Sequence, residues 1–216
     1  MSDISFLKQT KSVHVIGAGL NQERPAHKAF IDMKGRGYRM VPVHPRDAGS
    51  TIQGVPILPH PWASNDPELF VIFLSPERTL GLLRKWLIAN RNAPFIWLQP
   101  GAESDDVLEF LNEAEIPHSH GKCWVVTCIQ NDISCEDPLP KLPWVLQTSS
   151  TDGDLCSVWR YFPPGTDLEL DEPLEWVGDL MDLRSSDERI PRYVRSLCQD
   201  DESLAETAQR LAIPPN

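Results

Sequence analysis

Several things are scarce or missing in this chain of 216 residues, and each absence removes a class of function. No apolar run approaches the roughly 20 residues that a helix needs to cross a bilayer, so a membrane role is not expected. The opening segment MSDISFLKQTK has neither an apolar h-region nor a cleavage-site pattern, so secretion is not expected either. Cysteine is sparse: Cys123, Cys128, Cys135, Cys156 and Cys198 are odd in number and lack CxxC spacing, which argues against a disulfide framework. Together these features make a reduced cytoplasm the expected compartment. There is no GxSxG elbow, no HExxH and no GxxxxGK, and no other grouping singles out a positioned acid, base or nucleophile. No catalytic residue is therefore assigned. His118, His120 and Cys123 form an HxHxxC cluster, but the spacing fits no four-ligand tetrahedral pattern, so no metal is expected. A basic excess is also missing. The net charge is −11, which repels phosphate backbones and speaks against nucleic-acid binding.

The charge is unevenly placed. Residues 1–130 carry 13 acids and 13 bases, whereas residues 131–216 carry 18 acids against 7 bases, which accounts for the whole −11. The break coincides with the Pro-rich stretch EDPLPKLP at 136–143. Composition thus divides the chain into a first domain, 1–130, and an acidic C-terminal extension, 131–216.

The first 130 residues alternate between strand-like and helix-like segments. Ser12 to Ile16 reads as a buried strand, followed by the turn GAGLNQERP. Ala26 to Arg36 has helical spacing with Phe30 and Met33 on one face, and Gly37 suits a left-handed end. Tyr38 to Val43 is a second strand, and residues 46–68 are rich in loop-forming Gly and Pro. Leu69 to Leu74 is apolar throughout, as in a strand buried on both faces. Pro76 opens a helix carrying Leu80, Leu83, Leu87 and Ile88, and Pro94 to Leu98 is a fourth strand. Ser104 caps a helix through Val107, Leu108 and Leu111, and Cys123 to Val126 is expected as a fifth short strand. With right-handed crossovers this order is a doubly wound α/β domain on a mainly parallel five-stranded sheet.

In such sheets ligands occupy the crevice at the carboxyl ends of the strands. Two strand ends here stop at turns containing glycine: Val13, Val15 and Ile16 run into Gly17, Ala18 and Gly19, and Phe95 to Leu98 run into Gln99, Pro100 and Gly101. The third glycine of GxGxxG would fall at Gln22. The second strand ends in His44, Pro45 and Arg46, so a cation stands where an NAD binder places a carboxylate, with Asp47 one step later. A planar guanidinium suits a phosphate. These residues point to a nucleotide with an extra phosphate near its ribose, a description that NADP and coenzyme A both meet.

The sequence VIGAG, NQERPAHKAF, GRGYRMVPVHPR, VIFLSPE, WLQPGAES and GKCWVV, in that order, resembles the small CoA-binding proteins. Their Rossmann-like fold is that of the CoA-binding domain of succinyl-CoA synthetase α subunits. The resemblance spans residues 10–128, and its most specific pieces are WLQPGAE, Trp97 to Glu103, and the later GKC with Cys123. Gly19 stands where the family commonly has Ser, and His44 where Asn is common. Nothing matches the phosphohistidine half of the synthetases, so energy-coupling chemistry is not implied. What the resemblance implies is coenzyme A or an acyl-CoA as the ligand, and the lack of a catalytic grouping makes a non-catalytic binding module the expected role. The amides of Gly17, Ala18 and Gly19 would face the pyrophosphate, with Asn21 and Arg24 adding side-chain donors. Arg46 would contact the ribose phosphate beside His44 and Pro45, and Ser75 and Pro76 would wall the adenine. Gln99, Pro100 and Gly101 would border the pantetheine path, with Cys123 at the thiol end.

Residues 131–216 resemble no family. Trp144 to Thr148 and Leu155 to Phe162 read as a hairpin around Ser149 to Gly153. Ile190 to Cys198 has helical spacing, and Asp201 is placed to cap a last helix through Leu204, Ala208 and Leu211. The aromatics Trp144, Trp159, Tyr161, Phe162 and Trp176 are too many for a disordered tail. An α+β or partly irregular extension is expected, packed on the first domain or on a protein partner. Two other functions stay open beside the small-molecule nucleotide module: an NADP-dependent oxidoreductase, and a protein-interaction scaffold whose crevice is vestigial.

Overall fold

A computed structural model describes residues 3–63, 67–89, 92–149, 156–170 and 174–212. The amino-terminal half alternates as the apolar pattern requires. Helix α1 (Asp3–Gln9) leads into β1 (Ser12–Ile16), α2 (Pro25–Asp32) and β2 (Arg39–Val43). A small hairpin, β3 (Thr51–Ile52) and β4 (Val55–Pro56), and a single turn of 3-10 helix at Pro61–Ala63 interrupt the alternation. It resumes with β5 (Leu69–Ile72), α3 (Pro76–Ile88), β6 (Phe95–Leu98), α4 (Asp105–Glu113), β7 (His118–Ser119) and α5 (Trp124–Gln130).

The five long-range strands form one parallel sheet in the order β2-β1-β5-β6-β7. Pro42, which cannot donate to a ladder, lies on the edge strand β2. The sheet is Rossmann-like and doubly wound, because alternate side chains of one strand enter two different cores. Val13, Val15, Leu69, Val71 and Trp97 pack with Phe30 of α2 and Met33 just after it, and with Trp124 and Cys128 of α5. Ile16, Phe70, Ile72, Ile96 and Leu98 pack on the other face with Leu83 and Trp86 of α3 and Val107 and Leu111 of α4.

The fifth strand is not where the apolar residues suggested. Cys123 to Val126 was expected to be extended, but Trp124–Gln130 is helix, and the edge strand is the two-residue β7 paired with Ile96 and Trp97. Trp124, Val125 and Cys128 are the buried residues of that helix, so its apolar face follows the helical period. Other boundaries move less. α2 stops at Asp32, before Gly35 and Gly37, both of which have positive φ.

Beyond residue 143 the chain builds a separate antiparallel sheet in the order β10-β8-β9, from β8 (Trp144–Ser149), β9 (Ser157–Phe162) and β10 (Leu174–Asp179). The expected hairpin is β8 and β9, although residues 150–155, including most of its turn and Leu155, lie outside the described residues. Three helices follow: α6 (Leu180–Ser185), α7 (Arg189–Ser196) and α8 (Leu204–Leu211). The cap of α8 is Ser203 rather than Asp201. Its Oγ accepts from the Glu206 amide while the Glu206 carboxylate accepts from the Ser203 amide, a reciprocal capping box. Leu146, Leu168 and Val177 belong to the same core as α3 and α4, so this second sheet packs onto that face of the first.

Candidate functional site

The parallel register brings four strand ends level. The Gly17 amide donates to Val43 O at 2.8 Å, the Phe73 amide to Ile16 O at 3.0 Å and the Gln99 amide to Ile72 O at 3.1 Å. Chain order reverses between β1 and β5, which is where a doubly wound sheet opens its crevice. A cleft of about 1310 Å³ lies there.

The turn after β1 is held from three sides. Gly17 has φ 99°, a left-handed conformation that suits glycine. His27, buried on α2, makes a 2.7 Å bond from Nδ1 to Gly19 O. Asp47 Oδ2 accepts from the Leu20 amide at 2.8 Å and lies 3.2 Å from His44 Nδ1. A Cβ on residue 19 would come within 2.2 Å of Asp47 Oδ2 and 2.9 Å of His44 Cγ. Glycine at 19 and Asp47 therefore belong together.

Two of the three amides expected to face a pyrophosphate are engaged within the protein. Gly17 N–H donates to Val43 O, and Ala18 N–H to Val15 O at 3.4 Å. Ala18 is a fully buried core residue and does not line the cleft. Gly19, whose amide has no hydrogen-bond partner among the described residues, lines a smaller adjoining cavity of about 280 Å³ with Leu20, Asn21, Arg24, His44, Arg46 and Asp47. Pro76 is the first residue of α3, half-buried, and also stays out of the lining. Gly17, Arg24, His44, Pro45, Arg46, Ser75, Gln99, Pro100 and Gly101 line the main cleft together, and Cys123 joins them.

Sequence reasoning passed over two groups. Arg78, Gly81, Leu82 and Lys85 line the cleft from α3. Their spacing of three, four and seven residues is one helical stripe, visible in the sequence but readable as a solvated face. The second group is Pro59 to Trp62. Leu58 bridges Val43, with the His44 amide donating to Leu58 O and the Leu58 amide to Pro42 O, and this seats the next residues at the cleft. There His60 and Trp62 stack with centroids 4.6 Å apart and an interplanar angle of 15°.

Among the described residues no Asp or Glu lines the main cleft, although Arg24, Arg46, Arg78 and Lys85 all do. None of these four cations forms a salt bridge with a described residue. In a chain of net charge −11 this concentrates positive potential at one concavity. Gln99 is only 3% exposed, and its buried Nε2 has no hydrogen-bond partner among the described residues. An orphaned amide N–H at the wall of a cleft is an unfilled donor.

Comparison with known proteins agrees with this geometry. A profile of the CoA binding domain family matches residues 11–128. The chain belongs to that family. A Thermus thermophilus protein of known structure is 28% identical, with a TM-score of 0.53, over 58% of this chain and 93% of that one. A hypothetical protein from Pyrococcus horikoshii is 19% identical, with a TM-score of 0.52, over 60% of this chain and 92% of that one, and shares the fold. No curated protein sequence matches the chain. No helix among the described residues is long and apolar enough to cross a membrane.

Proposed function

We propose that the cleft binds coenzyme A or an acyl-CoA and that residues 1–130 act as a binding module, with residues 131–216 as an appended unit. The observation that carries this reading is a cleft at the carboxyl edge of a CoA-family domain that, among the described residues, is lined by four cations without a salt bridge and by no acid. Its volume of about 1310 Å³ exceeds the ~300–1,000 Å³ of ordinary ligand pockets, which suits a long ligand. Coenzyme A fits the donor set. Its diphosphate and ribose phosphate need several cations, which Arg24, Arg46, Arg78 and Lys85 supply. Its pantetheine arm carries amide carbonyls, and the orphaned Gln99 Nε2 is a donor for one of them. The flat His60–Trp62 stack offers the adenine an aromatic face in addition to Ser75.

The test is thermal denaturation with and without ligand. At about 100 times the Kd, coenzyme A should raise Tm by about 5–10 °C, and Arg46→Ala should lose most of that rise. No rise with coenzyme A together with a clear one for NADP would overturn the reading. Native mass spectrometry of the purified protein gives an independent check, since a co-purifying nucleotide would be weighed directly.

A further inference from the structure

The main cleft contains one thiol. Cys123 lines it together with Gln99, which the proposed function gives to the pantetheine arm, and with Pro100 and Gly101. The other cysteines are elsewhere. Cys128 and Cys135 are buried in the core with Phe30 and Trp124, and Cys156 and Cys198 are exposed without lining the cleft. Cys123 itself is half-buried, the first residue before α5, with its carbonyl engaged by the Thr127 hydroxyl at 2.8 Å. That bond ties the backbone at 123 to the first turn of α5, and the residue borders both the cleft and the core that holds Trp124. The second feature is Gln99, which lines the same cleft, is 3% exposed, and has a buried Nε2 with no hydrogen-bond partner among the described residues, an unfilled donor for an amide-bearing chain.

We infer that Cys123 is a thiol–disulfide exchange site for the coenzyme, so that the cleft captures oxidised coenzyme A covalently. The inference rests on the coenzyme A reading above. The co-reactant is the symmetric disulfide of coenzyme A. The Cys123 thiol gives its proton to solvent and the thiolate attacks one sulfur of the bound disulfide. A bond forms between Cys123 Sγ and that sulfur, the original S–S bond breaks, and the second coenzyme A leaves as a thiolate that takes up a proton. One disulfide replaces another, so no external electron acceptor is needed. A second thiol reverses the step. Cys128, five residues on, is a poor competitor because burial pushes its thiol up to about 11, which keeps it protonated near neutrality.

Specificity should come from binding. A disulfide held by the cations and by Gln99 is presented at high effective concentration, whereas a small disulfide without the nucleotide is not. The test uses the reduced full-length chain, incubated separately with coenzyme A disulfide and with glutathione disulfide and followed by intact-mass spectrometry and peptide mapping. The expected result is an adduct of one coenzyme A less two hydrogens, on Cys123, forming roughly tenfold or more faster than the glutathione adduct. It should be removed by dithiothreitol and absent from Cys123→Ser. The variant Cys156→Ser/Cys198→Ser, whose changed residues lie outside the cleft, should still gain thermal stability with coenzyme A and still form the adduct. If the wild type gains stability with coenzyme A but modification falls on Cys156 or Cys198, or if both disulfides react at similar rates, the exchange inference fails and the binding reading stands. If coenzyme A stabilises neither protein, the binding reading itself fails and the inference falls with it.

Discussion

Gly19 and Asp47 illustrate how one side chain can dictate its neighbour. The Asp47 carboxylate accepts the Leu20 amide and occupies the space that any Cβ at 19 would need. Gly19→Ala should therefore push Asp47 away from the Leu20 amide and destabilise the protein by about 1–3 kcal/mol, measured by urea denaturation. Asp47→Ala in the same chain should remove the clash, so the double variant should be less destabilised than the sum of the two single ones. Additive losses would show that the two residues are independent.

At the scale of the element, β1 is the informative strand. All five of its residues are buried, and His14 is among them, stacked on Phe70 with centroids 5.8 Å apart. Neither ring nitrogen has a partner among the described residues. Burial, reinforced by the positive charge of Arg39 and opposed by Asp182, lowers the His14 pKa from 6.5 to about 3. The folded pKa is depressed, so the unfolded chain takes up the proton first as pH falls. The stability that His14 contributes is complete above about 6.5 and is lost as pH drops toward about 3, an effect on the order of a few kcal/mol. Urea denaturation at about pH 7.5 and about pH 5 measures it. In His14→Leu the loss between these two conditions should be smaller than in the wild type, and equal losses would contradict the assignment.

At the scale of the whole molecule, Arg39 links the two sheets. It lies at the start of β2, donates from Nε to Asp179 Oδ2 at 2.7 Å, and reaches Asp182 Oδ2 at 2.8 Å. Both carboxylates are almost fully buried, and burial together with the nearby Asp182 raises the Asp179 pKa. The same two acids form the capping box of α6, so β10, α6 and the first sheet share one charge cluster. Arg39→Met leaves two buried carboxylates without their cation and should cost about 3–5 kcal/mol in chemical denaturation, with residues 131–216 becoming more sensitive to limited proteolysis. A change below about 1 kcal/mol would mean that the cluster does not hold the two parts together.

The alternation of apolar strands with helical stripes in residues 12–113 was readable because both periodicities are local, and so were the turns at Gly17 and Gly101. The VPV-x-P end of β2, WLQPGAE and GKC carried the family resemblance, since short motifs survive as strings. Long-range closure decided the rest. Whether Cys123 to Val126 extends or coils depended on which face of Trp124 the core would receive. The Gly17 amide is taken by Val43 O where the ends of β1 and β2 meet, which no local pattern encodes. Arg78 and Lys85 became site residues only when α3 was laid along the crevice, and Trp62 only when Leu58 joined β2. β10 and α6 depended on partners some 30 and 140 residues away, Trp144 to Thr148 and Arg39. By itself the sequence determined an open parallel sheet with a cation, Arg46, after its second strand. Tertiary structure decided which groups line the crevice, because a hydrogen bond made between distant segments removes a donor just as surely as a mutation would.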